Sequence, residues 1–298
     1  MKSIFVTILI CFYLPSSFAQ SDSTTFSILP VVRIIKTDGG ELIGKIISKD
    51  AREILLLTND DRQIYIPQHL IKQIIEVKPT DLNQRGEFVG EDKFATRYFI
   101  TTNGLPIKKG EHYIQWNLFG PDFQFGVAKN FGIGIMTTWL GMPIIGTVKK
   151  SWKLSEKMQF ALGGLVGTGT WAGPEWGGAL PFGTFSFGTR RSNVALSGGY
   201  GAFWQNGDLD GRILSSVAGM IKVGSKISLI FDSFIFLPAL RNTTANGDAF
   251  DEGLAILIPG IRWHQAEGKA IQFGFTGVYS NGELLPFPIP MVQWYRSL

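Results

Sequence analysis

Two ionisable side chains stand in stretches that otherwise carry no charge. In ISLIFDSFIFL, residues 227–237, Asp232 lies mid-stretch between Ile230 and Phe234, on the parity opposite Ile227, Leu229 and Phe231. In LAILIPGIRWHQ, residues 254–265, Arg262 is the second such charge. A carboxylate and a guanidinium placed this way do electrostatic chemistry, as a selectivity or gating pair. Taken singly, each is better read as a structural charge satisfied in a wet interior. Gln159, Gln272 and Ser228 share the same parity within their own stretches. Acid–base catalysis has less to work with. It needs a base within hydrogen-bond reach of a nucleophile. The histidines are His69, His112 and His264, and no serine elbow or metal-spaced cluster accompanies them. His69 is a lone residue beside a turn, read as solvated or capping. No catalytic residue, metal ligand or cofactor is assigned.

The elements that carry these residues are strands. KNFGIGIMTTWLG, residues 129–141, puts Phe131, Ile133, Ile135 and Trp139 on one parity. Gly132, Gly134, Met136 and Thr138 fall on the other, and a period of two means side chains on alternate faces. A single apolar helix over 131–148 would have to hold Gly132, Gly134, Gly141, Pro143 and Gly146 and shows no 3.6-residue period. A strand of a water-soluble sandwich is the stronger rival.

Hydrophobic residues make up 45% of the chain and charged ones only 17%, below the usual share of roughly 25%. The formal net charge of +4 is not gathered into a stripe for nucleic acid. The start, MKSIFVTILICFYLPSSFAQ, has Lys2, an apolar core from Ile4 to Leu14 and a small-residue exit, and predicts a signal peptide over 1–19. Cys11 lies within it, with Ile10 rather than a small residue before it, so lipidation is not expected. The mature chain then has no cysteine and no disulfide.

Residues 30–79 form a first domain of short strands, predicted at Val31–Thr37, Glu41–Lys49, Glu53–Thr58, Gln63–Ile66 and Ile71–Val77, with a hairpin turn at Asp38-Gly39-Gly40. The DGGELIGKI hairpin, with Gly44 at its bend, and IPQHLIKQI resemble the Sm-like (SH3-like) small β-barrels. The resemblance implies a closed five-stranded barrel. RNA-binding members carry an aspartate, an aromatic and an asparagine in one loop. In SKDAREI only Asp50 is present, so no nucleic-acid partner is expected and a periplasmic protein partner through 30–79 is. Residues 80–110 show no clear period and read as a connector or partial plug.

From 111 to 298 alternation repeats, predicting strands at 112–119, 122–128, 131–140, 143–152, 157–169, 178–188, 193–204, 212–223, 226–237, 253–264, 270–280 and 287–297. Tight charged turns come after the second strand and every other one beyond it. Longer loops come after the fifth, seventh, ninth and eleventh: WAGPEWGG, QNGDLDG, PALRNTTANGDAFDE and NGELLPF. Trp139, Trp171 and Trp204 fall at long-loop ends, and Trp152, Trp263 and Trp294 at short-turn ends, as two interfacial belts would. The layout resembles the bacterial outer-membrane β-barrels, although the last residue is Leu298 rather than an aromatic. The expected fold is all-β: a transmembrane antiparallel up-and-down barrel of about twelve strands, preceded by the small periplasmic barrel. A bulge at Gly183 would reconcile Leu180 and Phe182 with Phe185 and Phe187.

The resemblance implies the outer membrane as location, its lipid as partner, and both termini on the periplasmic side. Two functions fit: a narrow channel or transporter for small solutes, or a structural protein anchoring the periplasmic module. An enzyme acting on outer-leaflet lipid would need a base near the outer rim. His112 and His264 fall at the other end, so the chain is read as not an enzyme. The face assignment predicts that Phe273→Arg, toward lipid, costs about 2–4 kcal/mol and that inward Gln272→Arg is far milder.

Overall fold

A computed structural model describes residues 29–78, 81–82, 88–169, 175–237, 253–266, 268–280, 283–284 and 288–298. The signal peptide with Cys11, Trp171 and the loop PALRNTTANGDAFDE lie outside the described residues. The chain divides into two units, one ending at Glu76 and the other beginning at Val77.

The first unit contains β1 (Val31–Lys36), β2 (Glu41–Lys49), β3 (Glu53–Thr58), β4 (Gln63–Pro67), a 3₁₀ turn (Gln68–Leu70) and β5 (Ile71–Glu76). Alternation buries Val32, Ile34, Ile54, Leu56 and Ile66 as one core. The sheet order is β4-β3-β2-β1-β5, so β4 and β5 are its two edges and do not pair. The expected small closed barrel is therefore corrected to an open five-stranded sheet. β4 is five residues long and ends on Pro67, which has no N–H to offer a further ladder. The 3₁₀ turn then delivers β5 to the far side of β1. Gly44 is needed where β2 and β3 converge, since a Cβ there would lie 2.1 Å from the Leu57 carbonyl oxygen. Asp50 shapes a turn: its Oδ1 accepts the N–H groups of Glu53 (2.8 Å) and Arg52 (2.7 Å), which hold its carboxyl below the ordinary value.

The second unit contains β6 (His112–Asn117), β7 (Pro121–Ala128), β8 (Phe131–Thr137), β9 (Ile144–Lys153), β10 (Met158–Thr168) and β11 (Trp176–Gly188). It continues with β12 (Ser192–Gln205), β13 (Asp208–Lys222), β14 (Ile227–Phe236), β15 (Leu254–Ala266), β16 (Lys269–Ser280), β17 (Glu283–Leu284) and β18 (Ile289–Ser297). Each strand from β6 to β15 pairs antiparallel with the next, β15 pairs with β16, β16 with β18, and β18 returns to β6. This is a closed barrel of twelve strands, with β17 a short addition on β16. Ile135, Leu162, Val166, Leu196, Leu229 and Phe273 are exposed on its outer face. Closure leaves no ladder edge unpaired among the described strands, and an apolar exterior suits hydrocarbon, so the unit is a membrane-spanning barrel.

Two expectations are corrected here. No bulge forms at Gly183: pairing of β10 with β11 runs unbroken from Met158↔Phe187 to Thr168↔Gly177. Leu180 and Phe182 keep their parity and point inward, because part of the lumen is apolar. The stretch QNGDLDG is not a long loop. β12 and β13 extend to a two-residue turn, Asn206-Gly207, with φ of 51° and 94°. Asn-Gly is suited to that left-handed geometry, and the acidic residues after it belong to the strand. Trp139, Trp152, Trp263 and Trp294 are exposed, while Trp204 is half-buried. Trp116 stacks on Trp139 with ring centroids 5.6 Å apart and pairs with Trp294 across β6 and β18.

Candidate functional site

The lumen is built from the inward parity of the strands and from the chain that precedes β6. Asp92, Phe94, Tyr98, Phe99, Asn103 and Ile107 are all buried. Their polar partners come from strands all around the barrel, so the segment 88–110 runs through the interior. Inward glycines make room for it. A Cβ on Gly260 or Gly274 would lie 2.4 or 2.5 Å from Phe99 Cζ, and one on Gly132 would lie 2.7 Å from Ile107 Cγ2. Gly132 of KNFGIGIMTTWLG thus faces the segment, while Ile133 and Ile135 are exposed outside.

Asp232, on β14, is fully buried. Its Oδ2 accepts three consecutive backbone N–H groups, from Phe99 (2.9 Å), Ile100 (2.7 Å) and Thr101 (2.9 Å). The Thr101 hydroxyl donates to Oδ1. Successive amides converging on one anion form a nest, and charge-assisted bonds are stronger than neutral ones. The turn that presents these amides is closed by a Tyr98 N–H to Thr101 carbonyl bond of 3.1 Å.

Arg262, on β15, is equally buried and holds the chain just before that turn. Nη1 donates to the Asp92 carboxylate (3.1 and 3.2 Å) and to the Phe94 carbonyl (2.9 Å). Nη2 donates to the Arg97 carbonyl (2.8 Å), and Nε to Gln272 Oε1 (2.7 Å). Its guanidinium also lies 4.6 Å from the centre of the Tyr295 ring, a cation–π distance. Gln272 passes a bond to the Tyr98 carbonyl (3.2 Å), and the Tyr295 hydroxyl donates to the same carbonyl (2.9 Å). Gln293 Nε2 donates to the Phe99 carbonyl (2.9 Å). Burial raises the Asp92 carboxyl, but the Arg262 guanidinium, His264 and the Phe94 N–H outweigh it and hold it well below the usual carboxylate range.

Of the residues singled out from sequence, Asp232, Arg262 and Gln272 thus converge on residues 92–101. Ser228 joins through Asp92, to which its Oγ donates at 3.1 Å. Gln159 does not join, and its Nε2 reaches the Gly188 carbonyl at 3.4 Å. Asp232 and Arg262 do not pair with each other, because each is engaged by a different part of the segment. Asp92, Thr101, Tyr295 and the Arg97–Asp122 ion pair went unrecognised in the sequence. Their partners are remote in the chain, and the connector has no period to mark them.

Ser228, His264 and Asp92 bring together the residue types of a hydrolytic triad, but not its wiring. His264 Nε2 faces both the Ser228 Oγ (3.0 Å) and Asp92 Oδ2 (3.3 Å), and Ser228 donates to Asp92 itself. A relay needs the acid on one ring nitrogen and the nucleophile on the other. The cluster is an anchor for the Asp92 carboxylate.

No protein-family model matches the chain, and no curated protein matches it. Among solved structures it is similar to the NanC porin in a rhombohedral crystal form, with a TM-score of 0.43 and 10% identity over 63% of this chain and 98% of that one. A likeness at that level carries no argument; the closed strand ladder itself establishes the barrel.

Proposed function

We propose that the protein is a gated outer-membrane channel for small solutes, shut by its own segment 88–110, with the 30–79 unit on the periplasmic side. The observation that carries this is the clamp of Asp232 on three consecutive amides of the segment. In this reading Asp232 and Arg262 act first as latches. They face permeating ions only when the segment leaves. A second reading, a static barrel anchoring the first unit, is favoured by the pairing of the Arg262, Gln272 and Gln293 side chains around the segment. Planar-bilayer recording separates the two. Under gating, the wild type is mostly closed with brief openings, and Asp232→Asn or Thr101→Val raises open probability at least about tenfold, since a charged hydrogen bond contributes about 1.5–3 kcal/mol. Steady, large conductance in the wild type, or silence in the wild type and both variants, would overturn it.

A further inference from the structure

The segment does not fill the lumen. On the long-loop side of the 96–102 turn lies a cavity of about 600 Å³, within the roughly 300–1,000 Å³ of small-molecule sites. Its wall changes character around the barrel. β6, β7 and β9 contribute Gln115, Asp122, Gln124, Thr147 and Lys149. The opposite arc contributes Leu165, Leu180, Phe182, Leu214, Phe234 and Ile256. Inward apolar residues on this scale suit an apolar group of a ligand better than they suit water.

The polar arc sets Lys149 beside the Arg97–Asp122 ion pair and is partly unpartnered. Lys149 Nζ donates to the Thr102 hydroxyl (2.9 Å) and to the carbonyls of Asn103 (3.0 Å) and Leu105 (3.4 Å). All three acceptors are neutral, so none cancels its charge. Arg97 also lines the cavity and supplies a guanidinium group there. Arg97 pairs with Asp122 through one terminal nitrogen, but its buried Nε–H has no partner among the described residues. On the other side of the cavity, Ser216 Oγ (β13) and Thr276 Oγ1 (β16) also lack partners among the described residues, in residues only 5% and 8% exposed. Buried polar atoms are normally satisfied, so such a group asks for an explanation.

We propose that this cavity binds a single-chain amphiphile with an anionic head: the acyl chain lies along Leu180, Leu214 and Ile256, and the head faces Lys149 and Arg97 Nε. Binding itself is independent of the gating reading; only an effect of the bound amphiphile on conductance would rest on it. Two sources share this chemistry, a free fatty acid and a lysophospholipid of the membrane.

The test uses the full mature chain in phosphatidylcholine nanodiscs, with empty discs subtracted. Radiolabelled dodecanoate should bind saturably, at least about tenfold tighter than dodecyltrimethylammonium competes. Lys149→Gln should abolish that preference while dodecanol still binds, and Lys149→Arg should keep it. Leu180→Gln should weaken dodecanoate and dodecanol together. Tighter competition by lauroyl lysophosphatidylglycerol than by dodecanoate assigns the lipid source, and the reverse assigns the free acid. Absence of saturable binding, equal affinity for the cationic amphiphile, or an unchanged preference in Lys149→Gln would overturn the proposal. Saturable binding by a barrel that never conducts would sink the channel reading and leave this one standing.

Discussion

Asp232 and Asp92 are both buried carboxylates, but they are stabilised differently. Asp232 is bonded by backbone amides and a hydroxyl, whereas Asp92 is bonded by the Arg262 guanidinium. The Asp92 carboxyl is held below its unfolded value of about 3.9. A depressed folded pKa contributes stability that is fully present above the unfolded value and lost as pH falls through the folded one. Asp92 therefore keeps the segment docked from neutral pH to below about pH 4. Asp232→Asn combined with Asp122→Asn removes the other two buried carboxylates that hold the segment, the second being the partner of Arg97, and leaves the Asp92 transition. Recorded in that background, open probability should stay flat between pH 7 and about 4 and rise only below it. Asp92→Asn should raise it across the whole range, because it leaves Arg262 buried without its counter-charge. A rise centred near pH 6 in the doubly substituted background would contradict the Asp92 assignment.

At the scale of the strand, parity alone does not decide the cost of a substitution. Phe273 faces out on β16, and Phe273→Arg should still cost about 2–4 kcal/mol in refolding into lipid vesicles. Gln272, its inward neighbour, is not in water. It is fully buried between Arg262, Gln293 and the Tyr98 carbonyl. Gln272→Arg would set a second guanidinium beside Arg262, so its cost should equal or exceed that of Phe273→Arg, reversing the expectation from alternation. The glycine recesses on β15 and β16 offer a gentler test. Gly274→Ala puts a methyl where Phe99 Cζ lies. It should displace the segment at about 1–3 kcal/mol, read as faster proteolysis near Phe99 with the barrel still resistant to heat in detergent. An unchanged cleavage rate would mean that Phe99 does not depend on the recess.

At the scale of the whole chain, the two units each have their own core. Removing residues 29–76 should leave a barrel that folds and keeps its closed state, because the segment residues that Asp232 and Arg262 hold all lie at Asp92 or beyond. Loss of heat-modifiable folding on that deletion would show the first unit to be part of the barrel's assembly.

The sequence by itself determined most of what depends on a period of two, apart from the parity around Gly183 and the extent of the hairpin at Asn206-Gly207. Strand positions, the strand number of the barrel and the split between outward Phe273 and inward Gln272 are local consequences of alternating side chains. The five strands of the first unit were legible for the same reason. Whether they close was not, since closure depends on which edges meet, and β4 and β5 end up on opposite sides of the sheet. The tertiary structure alone decided what fills the lumen. Asp232 and Arg262 were visible as charges on an inward face, but the segment groups they hold lie more than a hundred residues away in an aperiodic stretch. Backbone amides, which no side-chain pattern records, supply three of the bonds that hold Asp232.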